Sequence, residues 1–482
     1  MNVLLVLNLT GVVLLFTALF MLAPAVVSLL YGSSDLKAIL LSFALTAGAG
    51  GILFLLTRKH RNEEIGHRDG FFAVALSWSV MALAGALPFL LSGAIPSVTD
   101  AVFESMSGFT TTGSSILTNV EALSRGVLFW RSLTHWIGGL GIIVFFVAVL
   151  PMMGAGGSQL FRAEVSQVVP QKLKPRIIDA AKSLWIIYIA FTALGVLLLR
   201  LGGMDLYDSF CHTFGAIGTG GFSTKNLSIG AYTSSYIHYV IIVLMFVGGT
   251  SFTLHYQALA GGLRRYVKNG EFVFYAMVLA ACTALIVLAT YRTYYDSLAV
   301  SFRDALFQVV SITTATGYVT VDYEKWPVFT QALLLMAMFI GGMAGSTAGG
   351  MKQARVLLMV KHMYREIYQL IHPRAVTSIK LDGRTIQKEV LGSVWGFIFL
   401  FLSIWVLASL AMTALGVDMV TASSTAVAAM SNVGPALGQA GPAENFASLP
   451  VAAKWVLTFC MLVGRLEVYT VMILFVPRYW RK

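Results

Sequence analysis

The sequence predicts an all-α polytopic membrane protein: four pseudo-symmetric helix–pore loop–helix repeats around a central pore, preceded by two extra transmembrane helices. Three observations predict it. Of 482 residues, 57% are hydrophobic and 11% charged, with mean hydropathy +0.79; a soluble domain carries about 25% charged residues. Apolar runs of the roughly 20 residues needed to span a bilayer recur along the whole chain. Between them, short polar stretches ending in glycine return at a regular interval. Those glycines are Gly113, Gly220, Gly317 and Gly434, separated by 107, 97 and 117 residues.

Taken in order, the spans fall at about 3–30, 38–57, 71–92, 127–151, 181–200, 236–260, 272–291, 328–345, 390–416 and 452–476. The first has no basic leader and is longer than a signal-peptide core, so it reads as a retained helix. Four shorter amphiphilic segments lie near 100–113, 205–220, 303–317 and 419–434. The implied units are an N-terminal extension (1–66) and four repeats (67–175, 176–268, 269–385 and 386–482). Cys211, Cys282 and Cys460 are scattered through apolar segments with no metal or redox spacing.

The formal charge is +11, and its distribution follows the membrane. Basic residues group at Arg58–Arg68, Arg162–Lys182, Arg264–Lys268, Lys352–Lys388 and Arg478–Lys482, holding 23 of the 33 Lys and Arg. The positive-inside rule makes these loops and both termini cytoplasmic. The four short segments then all enter from outside and return there. Orientation and lipid contact account for most of these charges, and no nucleic-acid partner is implied. The longest basic loop, Lys352–Lys388, also offers a docking surface for a soluble partner.

Asp100–Gly113 and Asp304–Gly317 are identical at seven of fourteen positions. Irregular backbone at bilayer depth is tolerated only where protein buries it or water lines it. A ring of carbonyl oxygens there can replace a cation's hydration shell, with K⁺ the best match. The predicted filter is Thr110, Thr111, Thr112 and Gly113; Ile217, Gly218, Thr219 and Gly220; Thr314, Ala315, Thr316 and Gly317; and Ser431, Asn432, Val433 and Gly434. Asp100 and Asp304 suit helix N-caps, and the opposite helix ends carry partial negative charge toward a shared centre. The bland alternative is four helix interruptions with small residues for close packing.

At these motifs, and at Gly221-Phe222-Ser223-Thr224, Tyr318, Pro435 and Gly464-Arg465-Leu466-Glu467, the chain resembles the Trk/Ktr/HKT superfamily of K⁺ transporters over essentially its whole length. The resemblance implies K⁺ uptake across the bacterial plasma membrane by a homodimer, each protomer holding a complete pore. It also implies a cytosolic ring of TrkA-type nucleotide-binding subunits that control the gate. The chain has no dinucleotide fingerprint or phosphate loop of its own, so nucleotide dependence must come from the partner, and K⁺ is cargo rather than cofactor.

Two features lie below the filter. Residues 341–350 hold five glycines, at about 1 kcal/mol each relative to alanine in a helix. The resemblance implies that this loop, with Gly341, Gly342, Gly345, Ser346, Thr347, Gly349 and Gly350, crosses the permeation path as a gate; the alternative is a loose helix end. Arg465 lies mid-span, where a charge costs about 2.5–3.5 kcal/mol. It either faces the pore as a cationic barrier or pairs with a carboxylate of another helix. Obligate symport with H⁺ or Na⁺ is the alternative within transport. A membrane enzyme would require a nucleophile–base pair or metal cluster, and no such spacing is present.

Overall fold

The computed structural model describes residues 1–61, 63, 66–148, 173–375 and 377–481. Arg162 and Lys172 of the second basic group lie outside these residues. The chain opens with α1 (Val3–Tyr31) and α2 (Leu36–Thr57), an antiparallel pair packed along its length. Gly11 and Gly50 permit that approach, because a side chain on either would meet the other helix's backbone. Both helices expose large apolar residues such as Leu30 and Leu56, which suits hydrocarbon rather than water.

Four units of similar order follow. The first has α3 (His67–Gly85) with α4 (Leu87–Leu91), the short α5 (Val98–Phe109) and α6 (Arg125–Ala148). The second has α7 (Leu173–Leu201), the short α8 (Leu206–Ile217), and α9 (Ser235–Gly248) with α10 (Phe252–Gly261), followed by the brief α11 (Arg264–Lys268). The third has α12 (Gly270–Thr290), the short α13 (Leu298–Thr313) and α14 (Val328–Ile340), then α15 (Gln353–Ile371) and a small hairpin at 380–385. The fourth has α16 (Lys388–Ala414), the short α17 (Met419–Met430), and α18 (Val451–Arg465) with α19 (Val468–Met472) and the C-terminal α20 (Pro477–Trp480).

Among the described residues, six helices are long and apolar enough to cross a membrane. Two expected straight spans are instead broken, and a third ends where its glycine run predicts. The 236–260 segment bends by 96° between α9 and α10, and the 452–476 segment by 116° after α18. The 328–345 segment stops at Ile340, where Gly341 takes φ +74°. Sequence hydropathy runs through these breaks because the intervening residues are small or apolar.

The short helices are held in cyclic order. Each packs on the two long helices of its own unit and on the last helix of the preceding one: α5 on α18, α8 on α6, α13 on α9 and α17 on α14. Their N-termini differ from expectation. Ser97, not Asp100, caps α5, and α13 begins six residues before Asp304. Asp205 and Asp418 are the acidic caps, accepting from the amides of Asp208 and Thr421. Hydrogen bonds from Thr421 hold the Asp418 carboxyl below its ordinary range.

The chain ends gather on one face. The Asn2 amide donates to Asp69 at 2.7 Å, Arg68 donates to the Arg481 carbonyl at 2.7 Å, and the Tyr479 hydroxyl donates to the Arg68 carbonyl.

Candidate functional site

Each short helix ends in the same backbone turn. The first residue past the helix is Thr110, Gly218, Thr314 or Ser431, and its amide still reaches back four residues. The second takes the left-handed conformation: Thr111, Thr219, Ala315 and Asn432, at φ between +52° and +55°. The third, Thr112, Gly220, Thr316 or Val433, donates to the carbonyl five residues before it, the closing bond of a Schellman turn. The fourth is Gly113, Gly221, Gly317 or Gly434, all at positive φ. The second arm is therefore Gly218–Gly221, one residue later than expected. Ile217 is the last residue of α8, and Gly220 holds the place of Thr112 and Thr316 rather than of Gly113.

The four arms close into a ring. A side chain on Gly113 would run into the Gly220 carbonyl, one on Gly221 into that of Thr316, one on Gly317 into that of Val433, and one on Gly434 into that of Thr112. Each fourth-position glycine thus packs on the third-position carbonyl of the next arm. The order one, two, three, four, one returns to its start. The aligned helix ends add partial negative charge from four directions. The arms are buried except at Gly113 and Gly221, which are half-buried beside the cavity above the ring. Non-helical backbone at bilayer depth is tolerated only where protein buries it or water lines it.

Polar side chains in the short helices brace the chain leaving the ring. Glu104 accepts from the Ser115 hydroxyl and the Ile116 amide, both at 2.9 Å, and from Arg131 Nε at 2.6 Å. Arg131 also donates to the Ser223 carbonyl and lies over the Phe222 ring, so one buried ion pair supports two arms. His212 meets the Ser223 hydroxyl, Gln308 donates to Thr320, and the Ser424 hydroxyl bonds the Leu437 backbone in both directions. Above the ring a cavity of about 120 Å³ is bordered by Gly113, Gly221, Gly317 and Pro435, with Arg131, Lys225 and Glu444 in its wall. The acids of the short helices are largely engaged: Asp100 with Lys454, Glu104 with Arg131, Asp208 with Thr224 and Tyr232, and Asp304 with Arg303.

On the opposite side of the ring runs the glycine-rich loop between Ile340 and Gln353. It is not a frayed helix end. Its amides at Met343 and Thr347 donate to the carbonyls of Gly249 and Gly248, and its Gly345 carbonyl accepts from Phe252. The break between α9 and α10 therefore serves as its socket. Gln353 closes the loop's base by donating from its side chain to Gly341 and from its amide to Gly342. The Thr347 hydroxyl lies on arm two, within hydrogen-bond distance of Thr219 and of the Ile217 carbonyl. Gly349 lies on arm four, where any side chain would meet the Ser431 carbonyl. Arms two and four are opposite members of the ring, so the loop crosses its axis.

Arg465 ends α18 beside this loop and is 3% exposed. Its guanidinium donates to the Thr347 carbonyl at 2.6 Å and the Gly138 carbonyl at 2.9 Å. It pairs with carbonyls rather than with a carboxylate, contrary to one of the two expectations. Its Nε has no partner among the described residues. Glu467 pairs instead with Arg355 at 2.7 Å. One residue that sequence reasoning missed is Glu271. Buried in the first turn of α12, it accepts through one oxygen from the amides of Ala344 (2.7 Å) and Ala354 (3.1 Å). It so ties the loop to the N-terminus of α15. Its signal was an acid at the mouth of an apolar helix, one residue outside the expected span.

The chain's architecture has close counterparts. It matches the family model described as "TrkH: Cation transport protein" over residues 35–482. This chain belongs to the TrkH family. The TrkH potassium uptake protein of Salmonella typhimurium is 40% identical over 483 residues, covering 98% of this chain and 99% of that protein. The TrkG potassium uptake protein of Escherichia coli K12 is 34% identical, with 98% of each chain covered. The crystal structure of the potassium transporter TrkH from Vibrio parahaemolyticus superimposes with a TM-score of 0.93 at 37% identity, covering all of both chains. TrkH-family membership makes the chain an all-α, multi-pass transport protein and not a member of an enzyme class.

Proposed function

We propose that this TrkH-family chain takes up K⁺ across the bacterial inner membrane through a gated, channel-like pore. The ring at Thr110–Gly113, Gly218–Gly221, Thr314–Gly317 and Ser431–Gly434 is its selectivity filter. The observation that carries this reading is the closed cycle of four glycine–carbonyl contacts at four convergent helix ends. Such a ring presents carbonyl oxygens to a dehydrated cation with no side chain in the way. The names of the relatives, potassium uptake proteins of the Trk system, support K⁺ as the cargo.

The loop at 341–350 is the gate in this reading, held shut by Arg465 and Glu271. The four units bounded at about residues 67, 176, 269 and 386 are the pore repeats. A cytosolic, nucleotide-binding TrkA-type subunit controls the gate from the basic face, and two such chains form a dimer. The "Trk system" of the relatives' names supports a multi-component assembly.

Substituting Gly221→Ser tests the filter. Purified protein in proteoliposomes is expected to lose at least about tenfold in K⁺-over-Na⁺ flux ratio, equivalent to about 1.4 kcal/mol. An unchanged ratio in correctly folded protein would remove the filter assignment.

A further inference from the structure

The loop does more than lie below the ring: it is hydrogen-bonded to one arm of it. Thr347 is fully buried, and its hydroxyl makes three contacts. Thr219 Oγ1, which shares its one proton between this hydroxyl at 3.2 Å and the Gly218 carbonyl at 2.8 Å, approaches from arm two. Thr347 is placed to donate to the carbonyls of Ile217 (2.9 Å) and Gly248 (3.0 Å). Its own carbonyl receives Arg465. Thr219 is the left-handed residue of arm two, at φ +52°, a conformation uncommon for a β-branched side chain. Such backbone persists where its surroundings over-determine it. Here part of that surrounding is the loop itself. The corresponding residues of arms one and three, Thr111 and Ala315, have no such link: the Thr111 hydroxyl lacks a partner among the described residues and Ala315 has no polar side chain.

We propose that Thr347 and Thr219 form a coupling joint between filter and gate. With the loop in place, arm two is held by the Thr347 hydroxyl. With the loop withdrawn, Thr219 and the Ile217 carbonyl lose that partner and arm two relaxes. Linkage is reciprocal for binding equilibria. A change confined to the filter at Thr219 therefore shifts the loop toward its withdrawn position. The claim rests on the filter-and-gate reading above and adds that the two are one linked equilibrium.

The test reads loop position without reading conduction. Ser346, fully buried in the loop, is changed to cysteine in a chain lacking Cys211, Cys282 and Cys460. Its modification by a membrane-impermeant thiol reagent is timed in proteoliposomes of known orientation. Thr347→Val and Thr219→Val are each expected to raise the modification rate about fivefold, the loss of roughly one buried hydrogen bond. The double variant is expected to fall well short of the product of the two. Thr219→Ser keeps the donor and is expected to stay at the parent rate. Thr219→Val at the parent rate, or a double variant equal to the product, would overturn the coupling. The filter reading stands or falls separately on the Gly221→Ser flux ratio. Size-exclusion profiles identify any variant that fails to fold, and Thr219→Ala then replaces it.

Discussion

Arms one and three of the ring hold themselves, whereas arms two and four are held by their neighbours. In arm one, Thr112 bonds Thr110 at 2.7 Å and Thr110 donates to the Met106 carbonyl at 2.7 Å. In arm three, Thr316 bonds Thr314 at 2.7 Å and Thr314 donates to Val310 at 2.8 Å. Arms two and four have Gly218 and Ser431, then Gly220 and Val433, in those places, so neither builds this ladder. Thr219 reaches the loop instead, and Asn432 donates to Thr112 and to the Met461 carbonyl, both at 3.0 Å. The backbone is close to fourfold while the side-chain bracing is twofold. The loop crosses beneath the two arms that depend on outside support.

The largest effect is expected where the backbone alone decides. Serine at Gly113, Gly221 or Gly317 places a side chain in the left-handed region, at about 1–2 kcal/mol, and drives it into the next arm's carbonyl. All three should lose K⁺ selectivity alike, whichever class of arm they belong to. Gly434 has the widest gap of the four and should lose least. A selectivity loss confined to arms one and three would break the picture of a closed ring. Gly220 is small for another reason, since its missing side chain is the space taken by the His135 ring.

That distinction marks where the sequence stops being legible. Arms one and three could be read from their shared threonines. Arm two offers adjacent glycines, Gly220 and Gly221, and the repeat interval alone does not choose between them. The better guide was Asp208, which stands thirteen residues before Gly221 as Asp100 and Asp304 stand before Gly113 and Gly317. The long lipid-facing helices were readable because burial from water sets their composition. The break at Gly341–Gly350 could be read from its five glycines, but those at Gly249–Ser251 and Leu466–Glu467 could not. Neither could the distant partners: the Gly345 carbonyl accepts from the Phe252 amide, Glu271 accepts from the Ala344 and Ala354 amides, and Arg465 donates to the Thr347 carbonyl. Such pairings leave no local pattern.

The next effect concerns the loop's clamps. Arg465→Ala removes two charge-assisted bonds of about 1.5–3 kcal/mol each and should raise basal K⁺ flux by at least about tenfold. Arg465→Lys separates two roles. A single ammonium keeps the charge but lacks the planar fork that spans the Thr347 and Gly138 carbonyls. An intermediate flux is expected; wild-type flux would mean that charge alone forms the barrier. Glu271→Ala should raise basal flux less than Arg465→Ala, since the loss is of bonds to two neutral amides at about 1 kcal/mol each. Glu271→Gln retains the accepting oxygen and should stay near the parent flux. Equal effects of Ala and Gln would transfer the role from hydrogen bonding to charge.

The smallest effect sharpens the comparison between self-braced arms. Asn432, Thr112, Thr110 and Met106 form one donor chain across two arms, whereas Thr316, Thr314 and Val310 form a chain within one. Thr316→Val removes a donor and strands no other hydrogen, so it should cost about 0.5–1.5 kcal/mol. Thr112→Val removes the same internal bond and also leaves one Asn432 amide hydrogen buried with only the poor 3.4 Å approach to Ala429. An unsatisfied buried donor adds about 1–3 kcal/mol. In detergent, the Thr112→Val protein should therefore unfold at a lower temperature than Thr316→Val. Adding Asn432→Leu should cost less in the Thr112→Val background than in the parent chain, because contacting residues are not additive. Equal midpoints for the two threonine variants would mean that arm four stands without arm one, and the twofold bracing would reduce to two independent ladders.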